Sequence, residues 1–233
     1  MAANRRTGLI REVAELVQTL QQQQQTDADA DTVLGELTQA SASAMPGAQY
    51  AGITIACRNG KVRTVAATGQ YPALLDEIQQ RCGEGPCLSA AWEHHVIRID
   101  DMEREKRWPA YCREARETPI RAVISFQLFA DHNSMGALNF YAEQPDVFDE
   151  EAAEMGLILA THTALAWNMV QRDQQFRSAL ASRDIIGQAK GMIMERFKID
   201  AVQAFELLKR LSQSSNTALA VVARQLVESE GYS

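Results

Sequence analysis

From Asp149 a helical pattern runs without a break to about Phe197, and no other stretch constrains the fold as much. Met155, Ile158, His162, Leu165, Met169, Arg172, Phe176 and Ala179 recur along it at heptad a/d spacing. The seam is apolar through Met169 apart from His162, and mixed beyond. Two packings suit it: a parallel two-stranded coiled coil joining two copies of the chain, or a helix laid on the chain's own sheet. A helix of about 45 residues, rising about 1.5 Å per residue, outruns one small domain and favours a dimer.

Ahead of this helix, residues 32–170 read as a mixed domain. "TVLGELTQASASA" is a helix, with Asp31 or Thr32 as its N-cap. "YAGITIACRNGKVRTVAATG" is a hairpin turning at Asn59-Gly60. "PALLDEIQQR" is helical, "HVIRIDDM" a short strand and "RWPAYCREARE" a short helix. "IRAVISFQLFA" and "SMGALNFYAEQP" pair around "DHNS". This order predicts an α+β fold, an antiparallel sheet with helices on its faces. Residues 1–31 form a leading helix and linker, with Ile10, Val13, Val17 and Leu20 as its stripe and "QQQQQTDADAD" after it.

With 233 residues and 46% hydrophobic content, the chain suits one large domain or two small ones. No apolar run approaches the ~18 residues of a membrane span, so no membrane partner is expected. The start is basic, but Arg11, Glu12 and Glu15 break up any signal-peptide core, which points to the cytoplasm. Four cysteines, Cys57, Cys82, Cys87 and Cys112, do not make a disulfide scaffold in a chain of this size. The net charge of −7 is uneven: residues 172–233 hold nine Lys/Arg against seven Asp/Glu, which leaves −9 for residues 1–171. An acidic body with a mildly basic tail suits a sensor joined to a polyanion-binding module, or two solvated surfaces that differ by chance.

Within that tail, "IIGQAKGMIMERFKIDAVQAF" (185–205) sets Gly187 and Gly191 inside a helix, each at a cost of roughly 1 kcal/mol relative to alanine. At about 100° per residue, Ile185, Ala189, Met192, Ile193 and Phe197 share one face. Arg183, Lys190, Met194 and Lys198 share the next, with Gly187 and, at its edge, Gly191. A strip without side chains beside cations lets a phosphate chain, or another helix, come close. Asp200 and Gln203 have capping-box spacing for a second helix, whose inner face is Ala204, Phe205, Leu208 and Leu211. "SSNT" stops it, and Leu219, Val222, Ala223, Leu226 and Val227 stripe a third. Residues 171–233 are thus expected to form a three-helix unit.

These residues resemble an ANTAR domain, the three-helix RNA-binding module of bacterial antiterminators. The matching positions are Gln188-Ala189-Lys190-Gly191, Met194-Glu195-Arg196, Ala204-Phe205, Leu208, Leu211-Ser212, Asn216 and Ala223. The acidic domain resembles a GAF sensor of the actinobacterial type found with ANTAR tails, through "GEGPCLSA" (83–90), "RWP" (107–109) and "MGALNFYAEQPDVFDEE" (135–151). The resemblance implies a signal-responsive, dimeric regulator whose tail binds tandem hexanucleotide-loop hairpins in nascent RNA and so prevents termination. Arg183, Gln188, Lys190, Gly191 and Arg196 are the expected RNA contacts, with Lys198 and Arg210 adding charge. Gly191 could instead relieve helix crowding, and Arg196 could pair with Glu195 or Glu206. Ser212 and Asn216 fit structural roles better.

The sensor half is less legible. Cys87, Trp92, Trp108, Phe126, Phe140 and Tyr141 are candidates to line a ligand pocket, or they fill the core. Cys82 and Cys87 with His94 and His95 do not have a zinc spacing, and neither thiol has an activating base nearby in sequence, so a redox role is a weak alternative. No metal, cofactor or catalytic residue is evident, and the sensor's small-molecule or redox signal is not specified. Two other functions compete: a DNA-binding regulator, since three short helices can make a helix-turn-helix, and a GAF-type methionine sulfoxide reductase.

Overall fold

A computed structural model describes residues 30–88, 95–130 and 132–230. The N-terminal stripe at Ile10, Val13, Val17 and Leu20 lies outside them, as do Trp92 and His94. The chain divides into two compact units between Met169 and Val170.

The first unit contains α1 (Ala30–Ala44), β1 (Tyr50–Cys57), β2 (Val62–Ala67), α2 (Tyr71–Cys82), β3 (Val96–Ile99), α3 (Pro109–Ala115), β4 (Ala122–Ala130) and β5 (Ser134–Ala142). Asp31 and Thr32 fall inside α1, so neither caps it. The strands form one sheet in the order β2-β1-β5-β4-β3, with every neighbouring pair antiparallel. The β1–β2 hairpin turns where expected, through Gly60 at φ 82°. This is the α+β architecture that the sequence predicts.

Strand alternation gives the sheet two faces. On one, Ala56, Ile97, Ile99, Val123, Met135, Ala137 and Tyr141 pack with Leu75 and Ile78 of α2 and Tyr111 and Cys112 of α3. The other carries Ile53, Ile124, Phe126, Leu138 and Phe140, all buried. This second face meets the first part of α4 (Glu150–Phe197), a single helix of 48 residues. Asp149 caps α4, its Oδ1 accepting from the Ala152 amide at 2.9 Å. Ala152, Met155, Leu159, Thr163 and Ala166 are buried along it at steps of three or four, with Trp167 buried beside Ala166. Gly156 lets the sheet approach: a Cβ there would lie 2.0 Å from Phe126 Cζ. Trp167 stacks on Phe129 with ring centroids 5.6 Å apart.

The heptad seam is therefore corrected at its start. Met155 is only 5% exposed and is spent on its own unit, whereas Leu165 (54%) and Phe176 (68%) stay outside. The sheet-facing stripe is offset around the helix from the heptad seam: it shares Met155 with it, while Ile158 and His162 are half-buried.

The second unit holds the rest of α4 with α5 (Ala201–Ser214) and α6 (Leu219–Glu230). Its core is small: Ala189 and Ile193 of α4, Ala204 and Leu208 of α5, and Ala223 of α6. The capping box forms as its spacing requires, with Asp200 Oδ1 accepting from the amides of Val202 (2.9 Å) and Gln203 (2.8 Å). Lys198 (φ 52°) and Asn216 (φ 49°) take left-handed conformations at the two helix–helix turns. Ser212 Oγ donates to the Thr217 carbonyl at 2.6 Å and ties the second turn.

Candidate nucleic-acid interface

In the second unit the helical period decides which cations meet. Arg183 and Lys190 are seven residues apart, nearly two full turns, so their side chains leave α4 on the same side. Together with Gly187, Ala179, Ser182 and Ile186 they line a groove of ≈ 570 Å³, whose other wall is Phe205 of α5. Arg183 is exposed and Lys190 half-buried. Neither joins an ion pair among the described residues. Among the described residues, no atom of another side chain or element lies within 4 Å of a Cβ placed at Gly187 or at Gly191. Crowding by these residues is thus not what the glycines relieve. They keep open space open, at a cost in helix stability.

Phe205 was expected on the inner face of α5 and is instead 38% exposed. The reason is angular: with Ala204 and Leu208 inward, Phe205 points about 100° away from Ala204. Adjacent positions on one helix cannot both face a narrow core, so the sequence carried this signal. Leu211 is also exposed, at 42%, and lines a second cavity of ≈ 350 Å³ with Arg196, Phe197 and Leu226. Phe197, placed on the packed face by its period, is 58% exposed because α4 ends there.

The seven residues singled out as RNA contacts do not form one patch. Arg183 and Lys190 share the groove, and Gly191 is exposed one residue beyond Lys190. Arg196 lines the second cavity. Gln188 is exposed, about 160° around the helix from Lys190. Lys198 sits at the exposed end of α4, and Arg210 is exposed on α5.

In the first unit, the pocket candidates separate. Cys87, Trp108 and Tyr141 belong to the cluster beneath α2 and α3. Phe126 and Phe140 lie on the opposite face of the sheet as an edge-to-face pair with centroids 6.0 Å apart. They cannot line a pocket with the other three. Trp92 is outside the described residues.

A buried polar circuit, absent from the sequence expectations, runs under Cys87. Asp76 of α2, 2% exposed, accepts from Thr54 Oγ1 (2.8 Å), Thr64 Oγ1 (2.7 Å) and Gln79 Nε2 (3.2 Å). Asn139 Nδ2 donates to Thr54 Oγ1 at 2.8 Å, and the Cys87 amide donates to Gln79 Oε1 at 2.9 Å. Burial raises the Asp76 carboxyl to about 6, while the Thr64, Thr54 and Gln79 hydrogen bonds pull it back. Burial, then the nearby Asp76 charge, pushes the Cys87 thiol up to about 12. Cys82 is also pushed up, by burial first and then by its hydrogen bond to Glu114.

The ANTAR domain family model matches residues 174–227 and the GAF domain family model residues 27–168. Among solved structures, the chromophore-binding domain of a bacteriophytochrome from R. palustris is similar at 13% identity and a TM-score of 0.53, covering 72% of this chain. This chain spans only 62% of that domain's length. The GAF domain of an Acinetobacter phosphoenolpyruvate-protein phosphotransferase aligns at 14% identity and TM-score 0.51, over 70% of this chain and 98% of its own. A free methionine-R-sulfoxide reductase from Neisseria meningitidis aligns at 17% identity and TM-score 0.50, over 70% and 93%. At these identities the likeness concerns the fold alone. No curated protein matches the chain.

Proposed function

Because this chain belongs to the GAF domain family and carries an ANTAR domain in its second unit, we propose that it is a signal-responsive, RNA-binding transcription antiterminator. The GAF unit senses, and the ANTAR unit holds paired hexaloop hairpins of a nascent transcript so that a terminator cannot form. The observation that carries this reading is the groove where Arg183 and Lys190 meet beside Gly187. Unpaired loops present splayed bases and phosphates, whereas the major groove of an RNA duplex hides its base edges. Cations without an ion-pair partner among the described residues and an open helix face suit such a loop.

A homodimer completes the reading. Leu165, Phe176 and Leu180 are 54%, 68% and 50% exposed on α4, and the period sets them within about 60° of one another. An apolar stripe of this kind suits a second copy of the helix. Two tails in one assembly would engage two hairpins, and the linkage raises affinity without new contacts.

The reductase alternative needs a reactive thiol. Cys87 is 1% exposed with its thiol pushed up to about 12, and Cys82 is raised as well, which supports a regulatory reading instead. No described helix is long and apolar enough to cross a membrane.

The test is a titration of the full chain against a two-hairpin hexaloop RNA at physiological salt. A single hairpin and duplex DNA of matched length run alongside. Preference for the paired hairpins is expected. Tighter binding to the duplex DNA would replace this function with the DNA-binding one.

A further inference from the structure

The groove between α4 and α5 is more than a place for charge. Its lining is mainly apolar, and Phe205 presents an exposed ring at one wall although it is not part of the unit's core. The facing wall is kept low by Gly187, where a Cβ would meet nothing. Arg183 and Lys190 supply the charge in its lining. An aromatic surface, a gap beside it and two cations next to both are the elements with which proteins hold an unstacked base and its flanking phosphates. A volume of ≈ 570 Å³ falls in the range of small-ligand clefts.

We infer that this groove receives one extruded nucleobase of an RNA loop, stacked on Phe205 and seated over Gly187, with Arg183 and Lys190 on the adjoining phosphates. This rests on the RNA-binding function proposed above. It makes Phe205 a base-stacking residue, and it gives Gly187 its reason: a side chain there would occupy the base's place. The same groove of a second copy is the weaker occupant, because a contact of the groove with itself would bring like cations together, whereas a polyanion neutralises them.

The experiment uses the full chain and hairpin RNAs in which each loop position in turn carries 2-aminopurine. Wild-type protein should quench the probe at one position far more than at the rest. Phe205→Leu, which keeps apolar bulk but removes the ring, should abolish that quench and weaken binding by about 5- to 100-fold. Gly187→Leu should do the same from the opposite wall, since the position is open at its Cβ and the longer side chain would fill the groove. Lys190→Ala should weaken binding to every sequence and lower the salt slope by about one, while the quench survives at saturating protein.

If both groove variants bind and quench as the wild type does, the base pocket is overturned and RNA binding stands. If the wild type binds none of the RNAs, the pocket and the proposed function fall together. If either variant changes the mass by light scattering but not RNA affinity, the groove joins copies of the chain, and the inference is wrong.

Discussion

Replacing Gly187 and Gly191 with alanine should make the second unit more stable and less able to bind RNA. A glycine within a helix costs roughly 1 kcal/mol relative to alanine, chiefly in backbone entropy. That gain is realised only if the new methyl group strains nothing. At both positions an added Cβ meets no neighbouring atom within 4 Å, and neither glycine has a positive φ. The two changes should therefore add about 2 kcal/mol, since the gain at each lies in backbone entropy and neither methyl group meets a neighbour. Amide hydrogen exchange across residues 186–196 reads this locally, and about 2 kcal/mol corresponds to roughly 30-fold slower exchange. Affinity for the paired-hairpin RNA should fall in the same protein, because each methyl group narrows the space beside Lys190. Faster exchange would show that the glycines serve packing within the chain. Slower exchange with unchanged RNA affinity would show that the open strip is not where RNA lies.

Other outcomes follow from the first unit and from α4. Asp76 keeps its proton to about pH 6 in the fold and only to its ordinary 3.8 when unfolded. The folded state therefore binds more protons between these values, and stability should fall as pH rises through that window, then level off above about 6. At 1.36 kcal/mol per pH unit the span is about 3 kcal/mol at most, and Asp76→Asn should remove it. Urea midpoints for both proteins from pH 4 to 7 check this, and identical slopes would sink it. Gly156→Ala should destabilise the first unit by about 1–3 kcal/mol or more, since its methyl would collide with the Phe126 ring at 2.0 Å. A denaturant titration with an unchanged midpoint would contradict that packing. Leu165→Glu, at a position 54% exposed, should leave the first unit folded yet lower the mass by light scattering and weaken paired-hairpin binding most. An unaltered mass would remove α4 from the dimer contact.

What was legible in the sequence was local. The hairpin at Gly60, the capping box at Asp200 and the long helix ending at Phe197 each rest on residues a few positions apart, so a short window holds their cause. One misplacement was avoidable on the same grounds. Phe140 and Tyr141 are neighbours in β5, and neighbours in a strand face opposite ways, so they could never have lined one pocket. Arg183 and Lys190 share a groove because the period of a single helix puts them on one side. Phe205 faces outward because its position lies about 100° from Ala204, whatever its apolar character.

The Asp76 circuit belonged to another class. Its donors Thr64 and Thr54 lie 12 and 22 residues away in two different strands, and Asn139 comes from a third. Nothing near Asp76 in the chain marks a carboxylate bound for the interior. Likewise, the sequence alone allowed Met155 to face either a second helix or its own sheet, and only the approach of Phe126 to Gly156 decided it. The sequence by itself thus determined the elements, their order and the cations that share a helix face, because backbone hydrogen bonding and side-chain period act within a few residues. Which apolar side is consumed inside a unit and which is left for a partner was decided by tertiary packing. That outcome depends on the shape of surfaces assembled from distant segments, and no single segment contains it.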